Sequence, residues 1–178
     1  ASFISEEAGK ASEELAAERG SFPNFDKSIW SGKTKLRRNA TVTTIAPTGT
    51  ISIIAGCSSS IEPFFAVCFV RNVLNGTLMY EVNPLFESLA KERGFYSRDL
   101  VAEISKVGSV KDIIEIPDEI KNIFVTAYDI TPEWHVRVQA AFQKWTDNAV
   151  SKTVNLPHHA TVEDVKEVFK LAHMLKCK

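Results

Sequence analysis

The sequence predicts an α/β fold of parallel architecture with a β-hairpin and a helical insertion. Two observations carry that prediction. Short β-branched segments at residues 40–46 and 151–156 alternate with amphipathic helical patterns. Strand, helices, strand, helix is the order that builds parallel sheets. Between them, strand-like runs at 64–74 and 77–82 flank Asn75-Gly76, the strongest two-residue hairpin signal.

Each element has its own local reason. Residues 5–19 are rich in Ala, Glu and Lys and stop at Gly20, which predicts a helix. Its apolar stripe (Ala8, Ala11, Leu15) is thin, as for a helix at an edge or resting on something outside the chain. The loop 21–33 carries Phe22, Phe25 and Trp30, aromatics of the kind that plug onto a core. Residues 40–46 read as a buried strand. Residues 51–56 read as one or two helical turns ended by Gly56. Asn83-Pro84 opens a helix as N-cap and first turn, with Leu85, Phe86, Leu89 and Ala90 up to Gly94. Ser97 caps a second helix with Leu100, Val101, Ile104 and Val107, and Pro117 begins a third with Ile120, Ile123, Phe124 and Ala127. Thr131-Pro132-Glu133 starts the clearest helix, whose Trp134, Val138, Ala141, Phe142, Trp145 and Ala149 read as one core face at a period near 3.6. The last helix begins at Thr161, with Asp164 completing a capping box, and carries the stripe Val162, Val165, Val168, Phe169, Ala172 and Leu175.

Composition narrows the function classes. With 21 basic and 22 acidic residues among 178, the net charge is −1. That balance argues against a nucleic-acid or acidic-membrane surface. No apolar run approaches the length of a membrane span, and residues 1–7 show no basic-then-apolar leader. The absence of an initiating Met suggests processing or excision from a longer chain. Cys57, Cys68 and Cys177 form no CxxC and no even set, which fits a reduced, cytoplasmic compartment. His135, His158, His159 and His173 show no metal-ligand spacing and read as surface or capping residues; no metal is expected.

Three segments could carry chemistry. In residues 46–52 a strand turns through Pro47, Thr48, Gly49 and Thr50 into a helix at Ile51 and Ser52. Free N–H groups at such a start can hold an anion, Gly49 allows close approach, and the hydroxyls add donors. No Gly-Lys-Ser/Thr follows, so this is not a Walker A loop. The alternative is a plain turn with a threonine cap. In residues 151–156, Ser151, Thr153 and Asn155 share one strand face, with Val154 and Leu156 on the other. That polar face lines a wet or ligand-filled interior, or else belongs to an edge strand. The run Ser58-Ser59-Ser60-Ile61-Glu62-Pro63 offers hydroxyls and a possible acid or base in Glu62, or is simply a loop.

Together these motifs resemble a known family. Arg38-Asn39-Ala40-Thr41-Val42-Thr43-Thr44-Ile45-Ala46-Pro47-Thr48-Gly49-Thr50-Ile51-Ser52, followed by Ser60-Ile61-Glu62-Pro63, is similar to the substrate-phosphate segment of adenosylcobalamin-dependent (class II) ribonucleotide reductases. Ser151-Lys152-Thr153-Val154-Asn155-Leu156-Pro157 resembles a later barrel strand of that family, and Gly20-Ser21-Phe22-Pro23 also fits. The likeness covers nearly the whole chain, in order. It implies part of a ten-stranded α/β barrel, with residues 1–178 as a C-terminal portion of the catalytic barrel and a helical insertion at about 83–130. It further implies reduction of ribonucleotides at the 2′ carbon by thiyl-radical chemistry, with adenosylcobalamin as cofactor and a dithiol reductant such as thioredoxin as partner. By position, Pro47, Thr48, Gly49, Thr50 and Ile51 would bind the substrate phosphate, and Ser151, Thr153 and Asn155 would face the barrel interior. A phosphate- or nucleotide-binding module without redox activity is the alternative.

The departures from the family pattern are equally specific. Its radical cysteine lies in an Asn-Pro-Cys-Gly-Glu type loop, whereas Asn83-Pro84-Leu85 is the single Asn-Pro here and starts a helix. No catalytic residue is therefore assigned to this chain, and it is expected to be inactive alone. A partial barrel with open strand edges is also expected to self-associate.

Overall fold

The computed structural model describes residues 1–73 and 77–178. The hairpin turn predicted at Asn75-Gly76 lies outside the described residues. The helices are α1 (Ser2–Arg19), α2 (Gly49–Ala55), α3 (Pro84–Glu92), α4 (Arg98–Val107), α5 (Asp118–Lys121), α6 (Pro132–Gln143) and α7 (Val162–Met174). Strands β1 (Cys68–Val73) and β2 (Thr77–Val82) pair antiparallel, with Cys68 opposite Val82 and Val73 opposite Thr77.

The main hydrophobic core sits between this hairpin and the helices that follow it. Val67 and Cys68 pack with Phe86 and Ala90 of α3, with Leu100, Val101 and Ile104 of α4, and with Val110, Ile113, Ile116, Ile120 and Phe124 of the following segment. Phe86 makes edge-on contacts with Phe95 and Phe124. Asn83 caps α3, its side chain accepting from Leu85 and Phe86 N–H, and Ser97 caps α4 by accepting from Leu100 N–H. Gly108 closes α4 at φ +79°. Its carbonyl accepts from Val67 N–H, and a Cβ there would lie 3.2 Å from Ala66 Cβ, so the tight join of α4 to β1 requires glycine.

Several expected elements take another form. The first strand of the hairpin begins at Cys68, not 64, because Phe64 pairs in parallel with Thr126 and accepts from Ala127 N–H. The helix expected from Pro117 is one turn; Ile120, Phe124 and Ala127 of its stripe are buried, whereas Ile123 is exposed. Segments 40–46 and 151–156 do not form regular strands; a parallel bridge joins Ile45 to Val150, the residue before the second segment. Asn148 N–H donates to Thr43 O, and Ser151 N–H to Ile45 O, so the parallel pairing survives locally while side-chain bonds replace much of the ladder. Asp147 is the main replacement: its Oδ2 accepts from Val42 N–H at 2.7 Å and faces the buried Arg37 guanidinium at 3.4 Å. Arg37 in turn stacks 3.8 Å over Trp30, which holds the aromatic loop as expected, together with buried Phe25.

Three helix faces differ from the periodic reading. The inner face of α1 is built from the buried Ser12 and Ala16 with Gly9, while Leu15 is exposed; Ser12 Oγ donates to Asn39 Oδ1 and accepts from Asn39 N–H. Small residues let the 37–39 segment come close, a contact that apolar counting does not register. On α6, Trp134 is 60% exposed and Trp145 lies beyond the helix end, so the predicted Trp134, Phe142 and Trp145 core face is corrected. The inward face carries His135, Val136, Gln139 and Gln143. Those polar groups are accepted inside because each is bonded to backbone carbonyls: Gln139 to Val150, and Gln143 to Thr146 and Asn148. Finally, α7 buries no residue, and Phe169 of its stripe is 72% exposed.

Candidate functional site

The three chemistry-bearing segments of the sequence converge. The turn 46–49 leads into α2 with Thr48 at φ +54°, a left-handed conformation that is strained for a β-branched residue. Thr48 does not cap α2 with its side chain. Its Oγ1 instead accepts a 2.7 Å hydrogen bond from Ser60 N–H, across from the serine loop. Ser60 is itself left-handed, at φ +50°, and its hydroxyl donates to Ser151 O at 3.3 Å. Thr48 is thus the N-cap by position but makes no side-chain cap bond. The Thr48 hydroxyl retains its own proton for donation.

The N–H groups of Gly49, Thr50 and Ile51 make no hydrogen bond among the described residues, as expected of a first helical turn. Pro47, Gly49, Thr50 and Ile51 are exposed, and a Cβ built at Gly49 meets nothing within 4 Å. The loop thus carries backbone donors without protein partners, on exposed residues that follow the half-buried Thr48. A concavity of about 370 Å³ lies elsewhere, between α6 and α7, lined by Glu133, Asp164, Glu167 and Lys170 with Leu171 and Met174. Its three carboxylates against one ammonium make it a poor environment for an anion.

A charged cluster lies at the end of the serine loop. The Lys152 side chain is 1% exposed, and its ammonium contacts Glu62 Oε2 at 2.6 Å. It also contacts His135 Nδ1 at 2.9 Å and the Thr153 carbonyl. Glu62 Oε1 accepts from Thr153 N–H at 2.6 Å. The ammonium is donor-only, so His135 Nδ1 must accept, and Nε2–H then donates to Ala127 O at 3.0 Å. Burial, reinforced by the Lys152 charge, holds the His135 pKa below its ordinary value against the opposing pulls of Ala127 O and Glu62. A neutral, fixed imidazole results.

The remaining candidates sort as follows. Ser151 is half-buried and joined to Ile45 and Ser60; Thr153 is exposed, with its backbone on Glu62; Asn155 is half-buried. Cys57 is exposed and Cys177 half-buried. Cys68 is buried, and that burial pushes its thiol pKa up. Among the described residues no three metal-ligating side chains gather, and no helix is long and apolar enough to cross a membrane. The surface-histidine reading fails for His135, which is 1% exposed. One signal pointed to the cluster: Lys152 shares strand parity with Val154 and Leu156. A lysine on an apolar face needs a counter-ion, and Glu62 in the companion motif supplies it.

Residues 32–178 match the family described as ribonucleotide reductase, barrel domain, and the chain belongs to that family. It is similar to the vitamin B12-dependent ribonucleoside-diphosphate reductase of Thermoplasma acidophilum, at 52% identity over 99% of this chain and 23% of that protein. The protein of the same description from Mycobacterium tuberculosis (strain H37Rv) is 49% identical, over 98% of this chain and 24% of its own length. Among solved structures, the class Id ribonucleotide reductase alpha subunit of Actinobacillus ureae superposes with a TM-score of 0.79 at 28% identity, covering 99% of this chain and 31% of that one. The chain spans about a quarter of the length of the curated relatives it matches.

Proposed function

We propose that this chain is a C-terminal portion of the catalytic barrel of an adenosylcobalamin-dependent ribonucleotide reductase, and that residues 47–51 bind the substrate phosphate. The parent reaction converts a ribonucleotide and a dithiol into the 2′-deoxyribonucleotide, a disulfide and water, by way of a cysteine radical. The observation that carries the loop's role is the open N–H set of Gly49, Thr50 and Ile51 beside the Thr48 hydroxyl, fixed by Ser60. Backbone donors at a helix start suit a phosphate oxygen, and the macrodipole favours its charge.

The same reading extends to the rest of the parent. Ser151, Thr153 and Asn155 face the interior of a ten-stranded barrel completed by segments outside this chain. When bound, adenosylcobalamin supplies the radical-generating chemistry. None of the residues described above forms a recognisable seat for it, so no step is derived through it. A dithiol protein such as thioredoxin regenerates the reductant, and the setting is the cytoplasm. By this reading the chain alone is inactive, and it self-associates through surfaces that the parent covers.

The test is substitution of Gly49→Val in the intact reductase. Because a Cβ at Gly49 meets no protein atom, the fold tolerates the change while the added side chain occupies the ligand's approach. Ribonucleotide affinity is expected to fall by at least about tenfold, the worth of one charge-assisted hydrogen bond. Titration showing equal affinity in both proteins removes the loop from phosphate binding.

A further inference from the structure

We propose that Lys152, Glu62 and His135 are positioning residues for the phosphate loop, acting through Ser60 on Thr48. The inference rests on the reading of 47–51 as that loop. A buried lysine tied to the loop that holds Thr48 invites assignment as a phosphate ligand. Its bonding excludes that role. All three ammonium protons are committed, to Glu62 Oε2, His135 Nδ1 and the Thr153 carbonyl, and the side chain is 1% exposed. No donor remains for a ligand.

What the cluster does is join three pieces of chain. Glu62 ends the serine loop, Lys152 and Thr153 belong to the segment after α6, and His135 lies on α6 and reaches Ala127. The contacts between Glu62 and Lys152 and between Glu62 and Thr153 therefore fix the serine loop against the segment that pairs with Ile45. Ser60 lies two residues before Glu62 and is tied to the same segment through Ser151 O. Its N–H is then aimed at Thr48 Oγ1. Thr48 and Ser60 both sit at positive φ, a conformation that persists only where the surroundings over-determine it. The cluster provides that over-determination. Releasing Glu62 frees Ser60, lets Thr48 return to an ordinary backbone region, and re-aims the N–H groups that follow.

The experiment uses the intact reductase carrying Lys152→Met, Lys152→Arg or Glu62→Gln, with Gly49→Val alongside. KM and kcat are measured for the ribonucleotide, and the matching nucleoside, which lacks phosphate, is titrated as a competitor. Lys152→Met is expected to raise KM about tenfold with a smaller change in kcat, and to leave nucleoside affinity within about twofold. Lys152→Arg, which keeps charge and donors for Glu62, recovers part of the loss. Glu62→Gln is isosteric, is read by the same criterion, and decides the matter if Lys152→Met does not fold. Unchanged KM in the cluster variants while Gly49→Val weakens binding overturns the positioning role. Equal weakening of nucleotide and nucleoside also overturns it, since a general structural defect does not distinguish them. If Gly49→Val itself has no effect, the phosphate-loop reading has failed, and the positioning role falls with it.

Discussion

His135 is neutral in this fold because both ring nitrogens are committed, one as acceptor from a cation and one as donor to a carbonyl. Protonating it would set two positive groups 2.9 Å apart and remove the acceptor that Lys152 uses. Its folded pKa lies below its unfolded value of about 6.5, so the unfolded chain binds the proton first as pH falls. The resulting stability is present in full above about pH 6.5 and is lost as pH drops through that value towards the folded pKa. Denaturant midpoints taken between about pH 7.5 and pH 5 should fall for the native chain, and fall less for His135→Gln. Parallel slopes for the two proteins would show that His135 carries none of this dependence. Residues 47–51 and Glu62 stood out in the sequence because they sit in ordered motifs. His135 was not, since a histidine on a helix gives no sign of which carbonyl or cation it will meet. Lys152 lies in an ordered motif, yet its ion pair is with a partner 90 residues away.

Element by element, caps were the most readable signals. Asn83, Ser97 and the Thr161–Asp164 box all cap as their chemistry dictates, because a cap is decided within four residues. Replacing Thr161 by Ala removes the acceptor for Asp164 N–H and should cost about 1 kcal/mol locally. Amide exchange in the first turns of α7 should then speed up about fivefold, while amides of α4 stay unchanged. No change in α7 would mean that the box contributes nothing there. Helix faces were less readable. The inward stripe of α6 is His135, Gln139 and Gln143 at four-residue steps, each satisfied by a carbonyl, so the apolar periodicity points to a neighbouring face. Strands 40–46 and 151–156 were overcalled for a related reason: their parallel course is real at Ile45 and Val150, but Asp147 and Thr43 side chains take bonds that a ladder would use.

At the scale of the whole chain, apolar surface is left uncovered in separate places. Ile53 and Ile54 of α2 are 82% and 81% exposed, and Phe169 and Met174 of α7 are comparably open. Patches of this kind on an isolated chain favour association. Sedimentation of the purified chain should show a mass that rises with concentration, whereas a clean monomer at high concentration would count against it. The family and the parallel course of the chain were readable from ordered motifs, but the extent of the missing cover was not, because stripes on α6 and α7 look the same whether their partner lies inside or outside the chain.

The Ile45–Val150 bridge also has a consequence for the order of assembly. The core around Phe86 and Ile104 is made by residues 67–124, which are near one another along the chain. Whereas the Ser60–Thr48 bond spans 12 positions, the bonds that tie the serine loop and segment 42–45 to residues 147–153 join positions 90 to 105 apart. Closing so long a loop is entropically unfavourable until the intervening segment has compacted. The hairpin and its helices are therefore expected to form first and to bring the two distant segments within reach, with protection from amide exchange lower around residues 45–62 than in α4.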